Sequence, residues 1–251
     1  MQSFTIRIAG IPVRVHSIYA STKEFCRDFL SEEPPAFEIE MTMDDIQKER
    51  EIAGKRDDPD IAAPHSLSDA DLETIALYRK LAAPLLSYHC VIFHGTVVAV
   101  HGYAYMFTAG SGTGKTTHAK LWLKNIKNSF ILNGDKPLIR FTGNAIMACG
   151  TPWNGKEDLG TNAVLPLRAI CFLSRDTENH IERIPMEEAF PGLYQQMHLC
   201  RGLSETEKQL TLLGEIAGRV DLYRLGCNMN SDAALLSYGE MSRHLPHEKT
   251  E

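Results

Sequence analysis

The sequence lacks long apolar runs, paired cysteines and an excess of positive charge. No run of about 18 apolar residues occurs, so no membrane-spanning helix is expected. The N-terminal segment MQSFTIRIAG has no basic stretch followed by an apolar one, so no secretory signal is predicted. The six cysteines are scattered without a CxxC pair, which disfavours a zinc knuckle or a disulfide scaffold and favours the reducing cytoplasm. The net charge of −6 gives no general attraction to nucleic acid or to a membrane surface, so neither partner is expected.

The N-terminal quarter of the chain contains predicted strands followed by a charged segment. With 251 residues, the chain can bury one large core, or a core with a small satellite domain. Three short segments are predicted strands: residues 4–8, 11–15 and 37–41. Residues 44–64 are charged and include Asp57-Asp58-Pro59-Asp60, which is typical of a turn or linker. We predict a β-rich region over residues 1–65, including this linker, and a second domain over residues 66–251.

The second domain alternates predicted strands and helices. Ser68 is a candidate N-cap for a helix with apolar residues near one face, and Pro84 is expected to kink or end that helix. Apolar runs predict strands at residues 90–93, 97–100, 103–107, 130–132, 138–141, 163–173 and 221–225. Further helices are expected after residue 114, after a capping box of Ser204 and Glu207, and from about residue 231. The order predicts an α/β fold with a mixed sheet.

The strongest local signal is a glycine-rich segment between a predicted strand and a predicted helix. Glycines let backbone amides converge on phosphate oxygens, and the helix adds the positive end of its dipole. Lys115 is expected to reach the β and γ phosphates of ATP, and the Thr116 hydroxyl to ligate Mg²⁺. We name residues 109–117 the phosphate loop, and its predicted nucleotide-binding residues are Ala109, Gly110, Ser111, Gly112, Thr113, Gly114, Lys115, Thr116 and Thr117.

One position of the phosphate loop departs from the common pattern. Ala109 stands where the first glycine usually lies. Alanine is harmless there if the residue has a negative φ. The alternative interpretation is a glycine-rich turn with an incidental lysine.

A carboxylate follows the next apolar strand. Asp135 lies at the end of the segment 130–135, where an acid can contact Mg²⁺ and can accept the proton of an acceptor hydroxyl. The alternative is that Gly134-Asp135 forms only a strand-ending turn.

The ordered combination of His94-Gly95, an apolar strand, the phosphate loop, a helix and Gly134-Asp135 resembles the HPr kinase/phosphorylase family. That family shares its P-loop core with phosphoenolpyruvate carboxykinase, and the likeness is closest to small bacterial HPr-kinase-like serine kinases. It covers residues 88–173 well and the C-terminal third loosely. The resemblance implies a mixed-sheet P-loop kinase core of the HPr kinase/phosphoenolpyruvate carboxykinase type. The first 65 or so residues carry none of the resemblance, and the small N-terminal β-rich region is predicted from its strand pattern alone.

The resemblance also assigns roles to single residues. It implies that His94 lies near the transferred phosphate, although a histidine satisfied by backbone groups at a strand end is an equal alternative. It places Gly134 where the family has the first of two acids, so one carboxylate is missing.

The family's loop with glutamate and arginine has no clear match, and residues 150–157 take its place. Lys156 could stabilise charge on the transferring phosphoryl group, or it could be solvated beside a two-residue Asn-Gly hairpin. Trp153 either stacks on a substrate or fills the core. His198 and Arg201 form either a cationic lid or solvated surface, and Arg168 is expected to pair with an acid or to extend to the sheet edge.

These features lead to one principal hypothesis and two alternatives. The principal one is an ATP-dependent kinase that transfers the γ-phosphoryl group to a hydroxyl, with Asp135, Lys115, His94 and Lys156 as catalytic residues and Thr116 and Asp135 as metal ligands. The resemblance, not the spacing, supplies the acceptor: a serine of a small protein or peptide. The alternatives are a small-metabolite kinase of carboxykinase type and a non-catalytic nucleotide-sensing or partner-binding protein. ATP and Mg²⁺ are the expected cofactors, and a homo-oligomer stays open.

Overall fold

The structure is a computed structural model, and it describes residues 1–54 and 67–243. The strands are β1 (Gln2–Ile8), β2 (Ile11–Ser17), β3 (Leu30–Ser31), β4 (Phe37–Glu40), β5 (Cys90–Ile92), β6 (Thr96–Val100), β7 (Tyr103–Thr108), β8 (Phe130–Asn133), β9 (Leu138–Thr142), β10 (Ala145–Cys149), β11 (Val164–Arg175), β12 (His180–Arg183) and β13 (Asp221–Cys227). The helices are α1 (Ala20–Phe25), α2 (Met43–Gly54), α3 (Asp69–Leu86), α4 (Lys115–Asn125), α5 (Met186–Gln196), α6 (Leu203–Arg219) and α7 (Ser231–Met241).

The N-terminal strands form a separate four-stranded sheet with the order β3-β1-β2-β4. Strands β1 and β2 are antiparallel, and Ala9 and Gly10 join them with φ values of +50° and +74°. A two-residue turn with positive φ at both positions matches the twist of a hairpin. The predicted N-terminal strands are therefore confirmed.

This sheet packs against α3 rather than standing alone. Ile6 and Val13 share a buried cluster with Leu77 and Leu81 of the helix. The buried carboxylate of Glu73, also on α3, accepts hydrogen bonds from backbone amides that lead into α1, including that of Ile18 at 2.6 Å. The position of the predicted domain boundary stays a prediction.

The start of α3 agrees with the sequence, and its end differs slightly. The Ser68 hydroxyl accepts from the Asp71 amide at 3.2 Å, and the Asp71 carboxylate accepts from the Ser68 amide at 3.0 Å. Pro84 lies inside the helix, which continues to Leu86. A proline in the last turn ends the helix two residues later rather than at once.

The main sheet has nine strands and is mixed, as predicted. Its central strands β7, β11 and β13 are parallel, and the strands at its margins are antiparallel to their neighbours. The order is β5-β9-β10-β11-β7-β6-β8, with β13 and then β12 attached to β11. The twelve-residue β11 pairs with β10 near its start and with β13 farther along. The protein is therefore an α/β protein.

The structure corrects two local predictions and contains one helix that was not predicted. The charged segment predicted as a linker forms α2 over its first part, and the rest of it, including residues 57–60, lies outside the described residues. The capping box at Ser204 is wrong because α6 begins at Leu203, with Gly202 as its N-cap and no side-chain cap. Helix α5 was not predicted, since Pro191 and Gly192 interrupt its pattern.

Two of the cysteines lie in environments typical of unreactive core thiols. Cys149 and Cys171 are buried, and burial raises the pKa of both thiols, that of Cys149 to about 12. In residues 1–54 and 67–243, no helix is both long enough and apolar enough to cross a lipid bilayer.

A buried histidine joins α4 to α7 and leads to a prediction about pH. The His118 ring lies 3.0 Å from the Ser237 hydroxyl, which also accepts from the Trp122 indole at 2.8 Å. Burial lowers the pKa of His118 from its ordinary value of 6.5 to about 4. Between these values the unfolded chain takes up a proton that the folded chain does not, so stability falls as the pH drops through this window.

We therefore expect His118→Gln to reduce the loss of unfolding free energy between pH 7 and pH 4.5, measured by urea denaturation. His101→Asn is the control, because His101 is exposed in the turn between β6 and β7 with a φ of +50°, which asparagine tolerates, and it should leave that loss as in the wild type. An unchanged pH dependence in His118→Gln would contradict the prediction.

Candidate nucleotide site

The sheet brings residues from distant parts of the sequence to one edge. Strand β7 ends at Thr108, directly before the phosphate loop. Strand β6 is antiparallel to β7, so His94 and Gly95, just before its start, lie beside that end. Strand β8 is antiparallel to β6, so Asp135, just beyond its end, lies there too. Ligands of α/β proteins bind at the carboxyl ends of parallel strands, which is the place where these residues converge.

The phosphate loop has the backbone conformation that its glycines allow. Gly112 and Gly114 have φ values of +71° and +121°, in the left-handed region that favours glycine. Ala109 is not among the residues with positive φ, and its methyl group is buried in the cluster that contains Trp122. Alanine at this position therefore causes no backbone strain, as the sequence interpretation required.

The Lys115 side chain folds back over the phosphate loop. Its ammonium donates to the carbonyl oxygen of Ala109 at 2.9 Å and to that of Gly110 at 3.3 Å. Burial lowers the pKa of this ammonium, and the charge of Asp135 opposes the shift. Thr116 follows on the first turn of α4 and is half-buried, whereas Thr117 is exposed. A cation thus lies beside the amide-rich loop at the start of a helix.

Asp135 stands between two basic side chains. Its Oδ1 atom is 3.3 Å from Nε2 of His94 and 3.1 Å from the ammonium of Lys136. The Asp135 amide donates to the side-chain oxygen of Asn133 at 3.0 Å, which fixes the backbone at the strand end. Lys136 was not predicted as a site residue. Lys136 lies next to Asp135 in the sequence, but the sequence does not show in which direction its side chain points.

His94 is held at both ends of its ring. Its Nδ1 atom lies 3.1 Å from the side-chain oxygen of Gln196, at the end of α5, and its backbone amide donates to the Gln196 carbonyl at 2.8 Å. Burial lowers the pKa of His94 to about 4, with Lys136 and Lys115 acting in the same direction and Asp135 opposing them. The imidazole is therefore neutral at pH 7. Gln196 can pair with either tautomer, because rotation of its amide exchanges donor and acceptor.

The structure gives a steric reason for glycine at position 134. A Cβ added there would lie well within van der Waals contact of the Asn154 carbonyl oxygen and 3.0 Å from the Leu159 carbonyl oxygen. Both oxygens belong to the backbone of the connection between β10 and β11. An acidic residue would fit only if this connection moved, so the site holds one carboxylate at this strand end.

This packing leads to a prediction about Gly134→Ala. We expect it to lower the free energy of unfolding by about 2 kcal/mol, because overpacking against backbone costs roughly 1–3 kcal/mol. Gly214→Ala in α6 is the matched control, since nothing lies within 4 Å of an added Cβ there. The control should be neutral or stabilising by up to about 1 kcal/mol. Equal effects of the two substitutions in urea denaturation would contradict the steric argument.

Residues 150–163 form a long connection between β10 and β11, so the alternative of a two-residue hairpin at Asn154-Gly155 is wrong. The buried Asn133 amide ties this connection down by donating to Thr151 Oγ1 and to Asn154 Oδ1, each at 3.0 Å. Gly155 packs against Asp135, with an added Cβ 3.2 Å from the Asp135 Cβ. Lys156 follows it and is exposed. The connection therefore covers the Asp135 side of the site, and a phosphoryl-contacting role for Lys156 stays a prediction.

Four further residues were considered as site candidates from the sequence, and the structure shows the surroundings of each. The Trp153 indole donates to the Thr74 carbonyl at 2.9 Å and packs beside Tyr78, so it fills the core. The His198 ring also contacts Tyr78, at 5.0 Å between ring centres. Arg201 is exposed. Arg168 pairs with Asp221 at 3.0 Å, which confirms the expected acid partner.

The residues at this edge fit a magnesium–nucleotide complex. Mg²⁺ in such sites takes one or two carboxylates, while phosphate oxygens and water fill the other positions. For such a complex, Asp135 would supply one carboxylate and Thr116 one hydroxyl. In the described part of the chain, no three His, Cys, Asp or Glu side chains cluster to form a metal site made of protein ligands alone. A metal ion here would therefore depend on the nucleotide for most of its ligands.

Comparison with known proteins finds structural similarity but no sequence match. No protein-family model matches the chain, and no curated protein matches it by sequence. Among solved structures, the HPr(Ser) kinase/phosphatase from Coxiella burnetii matches with a TM-score of 0.35 and 8% sequence identity. The match covers 61% of this chain and 97% of the solved chain. At this TM-score and identity the similarity is too distant to assign a fold family or an activity.

Proposed function

We propose that this protein is an ATP-dependent phosphotransferase that transfers the γ-phosphoryl group to a hydroxyl. The observation that carries the proposal is the placement of the buried Lys115 ammonium over a glycine-rich loop, within electrostatic reach of Asp135. Phosphoryl transfer needs positioned phosphates, neutralised charge and a group that accepts a proton. The phosphate loop can position the phosphates, Lys115 can neutralise their charge, and Asp135 can accept the proton. His94 contacts Asp135 at the same edge of the sheet.

The phosphate loop binds the triphosphate through its amides, and Lys115 neutralises the β and γ oxygens. Mg²⁺ held by Thr116 and Asp135 would supply further positive charge at the β and γ phosphates. The acceptor oxygen forms a bond to the γ phosphorus while the bond to the β,γ-bridging oxygen breaks, and ADP leaves with that electron pair. The hydroxyl proton passes to the Asp135 carboxylate, which His94 orients from 3.3 Å.

Lys136 and Gln196 position these groups. The Lys136 ammonium holds the same carboxylate oxygen that faces His94. Gln196 fixes the plane of the His94 ring from the opposite side. A carboxylate held in this way loses little side-chain freedom when it binds the acceptor.

The acceptor class is proposed from the sequence resemblance: a serine of a small protein or peptide. A non-catalytic nucleotide sensor is the second candidate, and the observation that favours it is the single carboxylate imposed by Gly134. One carboxylate must then serve both the metal and the proton, whereas the resembled family has two.

A transfer assay with γ-labelled ATP tests the proposal. The purified full chain would be incubated with Mg²⁺, ATP, and pools of serine-containing peptides or hydroxyl-bearing metabolites. Label on a peptide supports the principal proposal, and label on a metabolite supports the small-metabolite alternative. Binding of ATP without label on any acceptor, and without ADP release, would support the sensor.

A further inference from the structure

A second cation contacts the phosphate loop from a neighbouring strand. Strand β11 is parallel to β7, with Phe172 beside Thr108, and it ends three residues later at Arg175. The Arg175 side chain is exposed, and it donates through Nη2 to the Gly112 carbonyl and through Nε to the Thr113 carbonyl at 3.4 Å. Its guanidinium thus bridges two consecutive carbonyls of the loop.

The Gly112 and Thr113 carbonyls can be stabilised by a hydrogen-bond donor from outside the loop. A loop that turns its amide hydrogens inward to phosphate turns carbonyl oxygens outward. The loop glycines Gly110, Gly112 and Gly114 gain conformational freedom from the absence of side chains, and ordering them on binding costs entropy. A planar guanidinium with several fixed donors can hold two carbonyls at once, which a lysine ammonium on a flexible stem does less well.

We infer that Arg175 is a positioning residue that preorganises the phosphate loop for polyphosphate. The inference rests on the proposed nucleotide binding and adds a residue that no motif identified. Arg175 acts on the loop carbonyls and not on the nucleoside, so its contribution is the same for any ligand with the same phosphate chain. Preorganisation strengthens binding by lowering the ordering cost and leaves the bound-state chemistry unchanged.

The test is calorimetric titration of the full chain with Mg²⁺–ATP and with Mg²⁺–tripolyphosphate. We expect Arg175→Ala to raise both dissociation constants by about tenfold and by the same factor, and Arg175→Lys to recover only part of the loss. In the transfer assay, KM for ATP should rise while kcat stays near the wild-type value. Arg219→Ala is the matched control, because this exposed arginine also donates to a backbone carbonyl, that of Asn144, and should change neither constant.

Several outcomes would overturn the inference. They are unchanged affinity in Arg175→Ala, a loss confined to ATP, which would indicate a contact with the nucleoside, and full recovery in Arg175→Lys, which would indicate a simple charge effect. A wild-type chain that binds neither ligand would instead contradict the proposed function. The two failures are therefore distinguishable.

Discussion

Lys115→Ala is expected to weaken Mg²⁺–ATP binding by roughly 10²–10⁴-fold and to remove detectable phosphoryl transfer. In the free protein the ammonium lies against the Ala109 and Gly110 carbonyls, so it is already held over the loop before a nucleotide arrives. Hydrogen bonds to charged groups contribute about 1.5–3 kcal/mol each, and Lys115 is expected to make two with the β and γ phosphates. Fluorescence titration with a labelled ATP analogue measures this loss.

Lys124→Ala is the matched control, because Lys124 is an exposed lysine in the last turn of the same helix. It should bind ATP as the wild type does. Circular dichroism should show that both variants keep their secondary structure. A Lys115→Ala variant that is folded and binds ATP within threefold of the wild type would contradict the assignment of the loop.

Asp135→Asn is expected to lower the turnover number by roughly 10³-fold while changing the affinity for ATP less than tenfold. The substitution keeps the size of the side chain but removes its charge and its ability to accept a proton. General-base catalysis contributes about 10²–10⁴-fold, and loss of a metal ligand adds to this. The initial rate of ADP release at saturating ATP and acceptor measures the effect.

Asp158→Asn controls for removal of a carboxylate near the site. Asp158 belongs to the connection between β10 and β11, is exposed and has a φ of +48°, a conformation that asparagine tolerates. It should keep wild-type turnover. If Asp135→Asn kept more than half of the wild-type turnover, the assignment of proton transfer to Asp135 would be wrong.

The parts of the fold that were predicted from sequence are those with a local cause. The alternation of residues 4–8 and 11–15 and the cap at Ser68 depend on neighbours within a few positions, and the structure contains both. Helix α5 was missed because Pro191 and Gly192 oppose a helix locally. Gly192 is explained only by tertiary packing, since a Cβ there would collide with the Phe172 ring.

The candidate site shows the same division. The phosphate loop is one continuous segment, so its residues could be identified without knowing the fold. Gln196 and Arg175 reach the site through the docking of α5 and the parallel pairing of β11 with β7, neither of which a single sequence reveals. The available signal for Arg175 was a charged residue directly after an apolar strand, which is too common to indicate a function.

The steric role of Gly134 also lay beyond the sequence. The resemblance indicated only that an acid was missing at this position. The structure shows the Asn154 and Leu159 carbonyls occupying the space that a side chain would need. The absence of an acidic side chain at position 134 is therefore explained by the packing of residues 150–163 against Gly134.

The most direct test is isothermal titration of the full wild-type chain with ATP in millimolar Mg²⁺. The arrangement of Lys115 over the phosphate loop predicts one binding site per chain and a dissociation constant in the micromolar range, of the order typical for nucleotide enzymes. Absence of heat at any temperature between 10 and 35 °C, together with no protection of the chain by ATP against thermal unfolding, would contradict the account.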